Sequence, residues 1–288
     1  MLQTARESAA ALEALNAPMH IGHVALNVRD MASMTAFYRD SIGLDVLASD
    51  AYQAQLGKDG AAFLHLHAMS DAAAPSPRTP GLFHTAFLVP TRADLGRWLA
   101  HAAQTGVRLE GASDHIVSEA LYLSDPEGNG IEIYADRPRS EWRREGGQIV
   151  MDTLPLDLQA LLAEGTRQPG PWQGLASGSR IGHIHLKVGD AGAAEAFYAD
   201  TLGFTPTYRR NGASWLGAGG YHHHIAANHW ASRGSAATDG AALGLRTFGI
   251  TVTDQASWEA LARQHASMEA GQILLADPSG LQIVITRG

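Results

Sequence analysis

The feature that most constrains the fold is an internal duplication at an offset of 160 residues. The segment from Ile21, IGHVALNVRDMASMTAFYRDSIGL, is identical to the segment from Ile181, IGHIHLKVGDAGAAEAFYADTLGF, at 11 of 24 positions. Further along the chain, LGKDG from Leu56 corresponds to LGAGG from Leu216, and DPEGNGIEIY corresponds to DPSGLQIVIT. Ordered matches at nearly constant spacing indicate two copies of one structural module.

Each copy contains the same order of elements twice. In the first copy, a strand pattern at Ile21–Val28 precedes helical spacing at Met31–Ser41. The pattern restarts with a strand at Leu82–Val89, followed by helical spacing at Ala93–Thr105 and further short strands. A switch from period 2 to period 3.6 is typical of a strand followed by a helix. Each copy is therefore predicted to hold two βαβββ units.

The second copy repeats this pattern from Ile181 and again from Phe248, with Ser257–Gln264 as its last helix. We therefore predict an α+β fold of four βαβββ units in two tandem modules. The predicted boundaries are an N-terminal arm at 1–17, a first module at 18–137, a linker at 138–179 and a second module at 180–288. The arm is expected to be a short Ala-rich helix or a frayed segment. The linker contains Trp142, Trp172 and a DLQALLA helix, so it is expected to be packed.

Composition excludes several classes of protein. The net charge of −8 gives no electrostatic reason to bind nucleic acid. There is no apolar run of transmembrane length and no secretory-signal pattern in the first 17 residues, so a cytoplasmic location without membrane contact is expected. Cysteine is absent, which excludes thiol nucleophiles and cysteine-based zinc sites. The 14 histidines leave imidazole and carboxylate as metal ligands, a set that suits iron, manganese or zinc.

The motifs resemble the vicinal-oxygen-chelate superfamily, which includes glyoxalases, bleomycin-resistance proteins and extradiol dioxygenases. GHVALNVRD with AFYRDSIGL, and DPEGNGIEIY, carry this resemblance. GLFHTAFLVP, SDHIVSEALYLSDPEGNGIEIYADRP, IGHIHLKV and GGYHHHIAANHW are most similar to two-module catechol 2,3-dioxygenases. The resemblance extends over nearly the whole chain. It implies that pairs of units curl into cup-shaped mixed sheets, with a metal held inside by the first and last strands of the units.

The resemblance assigns two candidate ligand positions to each unit. The residues at these positions are His23 and Ala62 in unit one, His84 and Glu132 in unit two, His183 and His222 in unit three, and Gly249 and Val284 in unit four. Unit four therefore supplies no ligand. Extradiol chemistry needs two imidazoles and one carboxylate on one face of Fe(II), because the open face must take both the diol and dioxygen.

Two ligand sets are compatible with this assignment. If units one and two share a cup, the set is His23, His84 and Glu132. If units two and three share a cup, the set is His84, Glu132 and His183, with His222 as a fourth ligand or a nearby proton carrier. His84 and Glu132 belong to both sets.

The density of histidines in unit three favours the second set. Residues two apart on a strand share a face, so His183 and His185 are predicted to point the same way, as are His222 and His224. Buried imidazoles are costly unless something uses them. His224, His185 and Tyr134 are candidate catalytic acids or bases, since a phenol or an imidazole can move a proton near neutral pH.

The resemblance implies a metal-dependent extradiol dioxygenase that opens a catechol-like aromatic diol with O2. Fe(II) is the metal that this chemistry favours, with Mn(II), Zn(II) and Ni(II) as alternatives. A hairpin at His115–Glu119 is predicted over the mouth of the cup. The alternative functions are a glyoxalase-like isomerase or lyase on a non-redox metal and a drug-binding resistance protein. No nucleic-acid partner is expected, and a homo-oligomer is compatible with the sequence.

Overall fold

The computed structural model describes residues 17–167, 170–265, 268–269 and 271–288. The predicted N-terminal arm therefore lies outside the described residues, except for its last position. No helix in the described part of the chain is both long enough and apolar enough to cross a bilayer.

The described helices are α1 (Met31–Phe37), α2 (Arg92–Thr105), α3 (Leu158–Thr166), α4 (Ala191–Ala196) and α5 (Gln255–Gln264). The helices α1 and α4 continue into π-helical turns at Tyr38–Ile42 and Phe197–Thr201, and a 3₁₀ turn lies at Arg139–Glu141. The strands of the first half are β1 (Met19–Val28), β2 (Asp45–Ser49), β3 (Gln53–Lys58), β4 (Ala61–Ala68), β5 (Gly81–Leu88), β6 (Gly111–Asp114), β7 (Ser118–Ser124) and β8 (Gly130–Asp136). The linker adds β9 (Arg144–Glu145) and β10 (Gln148–Ile149). The strands of the second half are β11 (Arg180–Lys187), β12 (Thr205–Arg210), β13 (Ala213–Gly217), β14 (Ile225–Asn228), β15 (Gly244–Val252), β16 (Met268–Glu269), β17 (Gln272–Ala276) and β18 (Gln282–Arg287).

Each large sheet combines one unit from each half of the chain. Within the described residues, one eight-stranded sheet has the order β16-β17-β18-β15-β1-β4-β3-β2, so units one and four form it (the 1/4 sheet). The other has the order β12-β13-β14-β11-β5-β8-β7-β6, so units two and three form it (the 2/3 sheet). At each centre the first strands of two units pair antiparallel, and each first strand runs parallel to the last strand of its own unit. The predicted α+β fold of four βαβββ units is confirmed, and units two and three share a sheet.

Polar side chains define where the helices begin. Thr91 accepts a hydrogen bond from the backbone N–H of Asp94 at the start of α2. The other described α-helices begin at aspartates that cap their first turns, namely Asp30, Asp157, Asp190 and Asp254. Such caps satisfy backbone donors that lack partners within the helix. The helix positions predicted from the sequence agree closely with the structure.

The repeated AFY and DP motifs connect the two units of each half. The Tyr38 hydroxyl, just after α1, donates to the Asp125 carboxylate at a distance of 2.9 Å. In the second half, Tyr198 donates to Asp277 at 3.0 Å. Both tyrosines lie in one apolar core that joins the two large sheets. The duplication is therefore visible as a matched pair of buried contacts.

The linker is packed against the first module, as the sequence predicted. Helix α3 crosses α2 at a point where Gly96 faces Gly165. A Cβ atom built on Gly165 would lie 2.0 Å from the carbonyl carbon of Gly96, and one built on Gly96 would lie 2.2 Å from the carbonyl oxygen of Leu161. Only hydrogen at both positions allows the two backbones to approach this closely.

Candidate metal centre

Three side chains from adjacent strands of the 2/3 sheet converge on one point. Glu132 Oε2 on β8 lies 3.0 Å from His84 Nε2 on β5 and 3.2 Å from His183 Nε2 on β11. One ligand atom from each residue lies within 4.8 Å of the others, and all three side chains are buried. The structure thus brings together the residues of the second predicted ligand set.

The strand register explains why these side chains meet. Glu132 and His183 are both register partners of Ala86, which lies on the central strand β5 between them. His84 lies two residues before Ala86 and therefore points to the same face. Because Ala86 carries only a methyl group, the space above it is left to the two imidazoles and the carboxylate.

The glycine before His183 is also required by packing. The register between β11 and β5 shifts between Ile181 and His183, so Gly182 lies in an irregular part of the strand. A Cβ atom on Gly182 would lie 1.8 Å from the hydroxyl oxygen of Tyr134. Tyr134 packs its ring against His183 with a centroid distance of 4.8 Å. The IGH motif thus allows a buried tyrosine to support the imidazole.

His23, the repeat equivalent of His183, lies in the other sheet. Its ring lies so close to Gly249 that a Cβ atom built on this glycine would be only 2.2 Å from the imidazole. The His23 ring also stacks on His65 with a centroid distance of 5.0 Å. The structure therefore does not bring His23 to the group around Glu132. Burial, assisted by His65, lowers the pKa of His23 to about 4, so this imidazole is neutral at pH 7.

The parallel pairs correct the sequence-based assignment of ligand positions. The ladders between first and last strands start at Val24 with Leu64, Thr85 with Ile131, Ile184 with Ile225, and Phe248 with Ile283. Counting from these starts, the equivalents of His84 are His23, His183 and Thr247, and the equivalents of Glu132 are His65, Ala226 and Val284. The assignments of Ala62, His222 and Gly249 were therefore wrong. The 2/3 sheet presents two histidines, one glutamate and an alanine, whereas the 1/4 sheet has no carboxylate at these positions.

The electrostatics of the three residues suit a cation. Burial lowers the pKa of His183 to about 4, against the opposing influence of Glu132, so its imidazole is neutral near pH 7. Burial raises the pKa of the Glu132 carboxyl, but His183 and His84 outweigh burial and hold this pKa well below its usual range. Ligands must be deprotonated to bind metal, and both residues are. Among the described residues, the buried His84 Nε2 has no partner with good hydrogen-bond geometry, although Glu132 Oε2 lies 3.0 Å away. A bound cation would satisfy this atom.

A cavity of about 440 Å³ opens onto the three residues, a size typical of small-molecule sites. Its walls are mainly aromatic or apolar and are formed by Phe83, Val117, Met151, Tyr208, Trp215 and Trp230. Phe83 and Trp230 are 41% and 53% exposed and meet edge to face at 5.6 Å. Large exposed aromatic side chains at the rim of a cavity indicate a binding surface. Because Ser113, Asp152 and Arg210 also line the cavity, it suits an aromatic ring that carries polar groups.

His185, predicted as a catalytic residue, lines this cavity beside the candidate ligands. Its Nε2 accepts a hydrogen bond of 2.9 Å from the side-chain amide of Asn228. Its ring packs on Phe83 at 4.8 Å and on Trp230 at 5.6 Å. Burial, with a smaller effect of His84, lowers the pKa of His185 well below its usual value. His185 is therefore a neutral part of the aromatic wall.

The three consecutive histidines do not form the predicted strand. Strand β14 begins at Ile225, so residues 222–224 lie in a bend before it. His223 lines the cavity, and its ring centroid lies 4.1 Å from that of His183. His222 Nε2 instead lies 2.7 Å from Asp136 Oδ1, and His224 Nδ1 accepts from the backbone N–H of Ala218. Because the bend removes the two-residue periodicity, neither His222 nor His224 is placed at the cavity wall.

Tyr134 also lies away from the cavity. It follows Glu132 by two residues on β8, but its hydroxyl group is 2.9 Å from the hydroxyl group of Tyr221, and its side chain is fully buried. Burial raises its pKa well above the usual value. The structure therefore gives Tyr134 a packing position behind His183.

Besides His223, two further cavity residues that can move protons were not identified as catalytic candidates from the sequence. His115 and Tyr122 lie on the hairpin of β6 and β7, which confirms the hairpin predicted at His115–Glu119. His115 Nδ1 donates to the backbone oxygen of Asp152 at 2.8 Å, so its Nε2 accepts from the Tyr122 hydroxyl at 2.6 Å. Tyr122 is the cross-strand partner of Glu132. Burial, followed by the charge of Glu132, raises the pKa of Tyr122 well above its usual value. Tyr122 is connected with Glu132 through the pairing of β7 with β8, and this register cannot be read from the sequence.

Comparisons with known proteins agree with this architecture. The sequence profile of the Glyoxalase/Bleomycin resistance protein/Dioxygenase superfamily matches residues 20–133 and 180–285. The chain is 41% identical over 250 residues to catechol-2,3-dioxygenase of Bacillus subtilis (strain 168), covering 85% of this chain and 87% of the relative. It is 29% identical over 119 residues to biphenyl-2,3-diol 1,2-dioxygenase 3 of Rhodococcus globerulus, covering 40% of this chain and 63% of that protein.

Among solved structures, glyoxalase I of Zea mays superimposes with a TM-score of 0.54 at 14% identity, covering 95% of this chain and 94% of that one. At this identity the superposition shows a shared fold. The sequence profile, which covers both halves, shows the family. The chain belongs to the Glyoxalase/Bleomycin resistance protein/Dioxygenase superfamily.

Proposed function

We propose that this chain is a metal-dependent extradiol dioxygenase that opens the ring of a catechol-like aromatic diol with O2. The observation that carries the proposal is the convergence of His84, Glu132 and His183 at the wall of an aromatic cavity. The similarity to catechol-2,3-dioxygenase over most of both chains supports the same reaction class.

His84, Glu132 and His183 would hold the metal, with Fe(II) favoured over Mn(II), Zn(II) and Ni(II). Two imidazoles and one carboxylate are the ligand set of non-haem Fe(II) oxygenases, and this set leaves open positions. When bound, the metal would supply the redox chemistry that lets a singlet diol react with O2. The fourth equivalent position is Ala226, which has no donor atom. The four-ligand set of the isomerase or lyase alternative is therefore not supported.

The chain's own residues would position the diol and move its protons. Phe83, Trp230 and His185 form an aromatic wall against which a planar ring can pack. His223 is the candidate base for a substrate hydroxyl group, because its ring lines the cavity 4.1 Å from that of His183 and its buried imidazole, whose pKa is lowered by burial, is neutral. The Tyr122 hydroxyl donates its proton to His115, so on the opposite wall its oxygen is a candidate acceptor for a substrate hydroxyl group. The apolar side chains around them would exclude bulk water.

Oxygen uptake tests this proposal directly. Protein loaded with Fe(II) under anaerobic conditions should consume one O2 for each catechol and give a ring-opened product that absorbs in the visible range. Metal-free protein should consume none, and His84→Ala should abolish uptake while retaining a native circular dichroism spectrum. Absence of O2 uptake with catechol and with its alkyl- and aryl-substituted forms would refute a dioxygenase. Activity that persists with Zn(II) or Ni(II) in the absence of O2 would favour an isomerase or lyase.

A further inference from the structure

We infer that Asp136 and His222 are positioning residues that fix the tautomer of His223, so that its Nε2 lone pair is presented to the cavity. This inference rests on the proposed function only for the catalytic use of His223. The hydrogen-bonding device itself is a property of the folded chain.

The three residues form a continuous buried chain. His222 Nε2 lies 2.7 Å from Asp136 Oδ1, and His222 Nδ1 lies 2.7 Å from His223 Nδ1. The Tyr221 hydroxyl donates to the other oxygen of Asp136, also at 2.7 Å. The side chains of His222 and Asp136 are 0% and 2% exposed. Water therefore does not compete for these hydrogen bonds.

The chemistry of the three groups sets the direction of each bond. A carboxylate only accepts, so His222 must carry its proton on Nε2. A His222 ring with this single N–H accepts at Nδ1, so His223 donates from its own Nδ1 and its Nε2 is left as an acceptor. A doubly protonated His222 would instead donate to His223 Nδ1 and place the His223 proton on Nε2. The orienting partner of an imidazole nitrogen determines the tautomer in the same way in other catalytic and metal sites.

Packing holds the chain in place. The ring of His222 lies 5.0 Å from Trp142 and 4.1 Å from Tyr221, while the ring of His223 lies 4.1 Å from His183. His223 lines the cavity with its free edge, since its Nδ1 is bound to His222. The relay therefore presents an acceptor to a substrate hydroxyl group without any rotation of the ring.

Nitrogen-15 NMR of the histidine rings tests the relay without substrate. Metal-free and Zn(II)-loaded protein, labelled with ¹⁵N-histidine, should show His223 protonated at Nδ1 in two-bond ¹H–¹⁵N correlation spectra. In Asp136→Asn the side-chain amide can donate to His222 Nε2, so the hydrogen bonds should reverse and His223 should carry its proton on Nε2. In His222→Phe the acceptor is lost, and the Nε2–H form should again rise. Asp136→Glu, which keeps an acceptor, should restore the wild-type tautomer.

Turnover separates a positioning role from a merely structural one. Asp136→Asn should lower kcat for catechol by about 10²- to 10⁴-fold, the range for loss of a general base, with a much smaller change in KM. A wild-type His223 protonated at Nε2, or variants that leave its tautomer unchanged, would overturn the inference. If the wild-type protein turns over no catechol but has the expected tautomer, the dioxygenase proposal fails and the relay stands.

Discussion

The repeat supplies a matched pair of substitutions for the metal site. His23 and His183 occupy the same position of the same IGH motif and have identical side chains, but only His183 lies beside Glu132, at 3.2 Å. His183→Ala should therefore weaken metal binding, whereas His23→Ala should not. Each variant removes one partly or fully buried imidazole from the same strand position. Each therefore controls for the effect of the other on the fold.

The expected magnitude follows from the number of ligands. Zinc-finger peptides gain roughly 10–16 kcal/mol from four ligands, or about 3 kcal/mol for each. Losing one of the three residues grouped here should therefore raise Kd by about 10²-fold.

Metal content after anaerobic Fe(II) loading and desalting, measured by mass spectrometry, tests the pair. We expect about one iron per chain in the wild type and in His23→Ala, and almost none in His183→Ala. Oxygen uptake with catechol should follow the same order, and thermal denaturation should show that both variants are folded. Iron retained by His183→Ala, or lost from His23→Ala, would refute the assignment of the metal site to the 2/3 sheet.

Three further predictions concern stability and substrate binding. Because burial lowers the pKa of His23 from 6.5 to about 4, the native state binds fewer protons than the unfolded chain between these pH values. The stability that depends on a neutral His23 is therefore present above pH 6.5 and is lost as the pH falls toward 4, by about 2 kcal/mol at pH 5. Urea titrations of the wild type and of His23→Phe at several pH values should show this difference. Trp230→Ala should raise KM for catechol about 10-fold with little change in kcat, because it removes part of the aromatic wall, whereas Tyr52→Ala in the exposed turn between β2 and β3 should leave both constants unchanged. Gly165→Ala should lower the free energy of unfolding by about 1–3 kcal/mol, measured with denaturant, because the added methyl group would meet the backbone of α2. An unchanged denaturation midpoint would contradict the close packing of the linker.

The sequence identified two of the three grouped residues because they lie in or beside recognisable motifs. His84 lies on β5 in the segment GLFHTAFLVP, and Glu132 follows the DPEGNG turn that starts the last strand of its unit. The partner unit was harder to identify. His23 and His183 have the same local sequence, so only long-range strand pairing distinguishes them, and that pairing depends on contacts across the whole chain.

The errors have a common physical origin in strand register. Equating Gly220 with Gly60 placed His222 on the last strand of unit three, yet β4 begins directly after Gly60 while β14 begins five residues after Gly220. Residues 222–224 therefore lie in a bend before β14, where the alternating pattern of a strand does not apply. The histidine that reaches the cavity is His223, between the two that the alternating pattern selected.

Because each large sheet combines one unit from each half, neither half of the chain can form the 2/3 sheet and its cavity by itself. Two of the grouped residues come from the first half and the third comes from the second, across the seam of β5 and β11. Severed halves produced in the same cell should regain activity only on reassociation, since each lacks part of both sheets. A single module would need a second copy of itself to form such sheets, and the two sheets would then be equivalent. In the fused chain the two sheets differ, because the 1/4 sheet has Val284 at the position where the 2/3 sheet has Glu132.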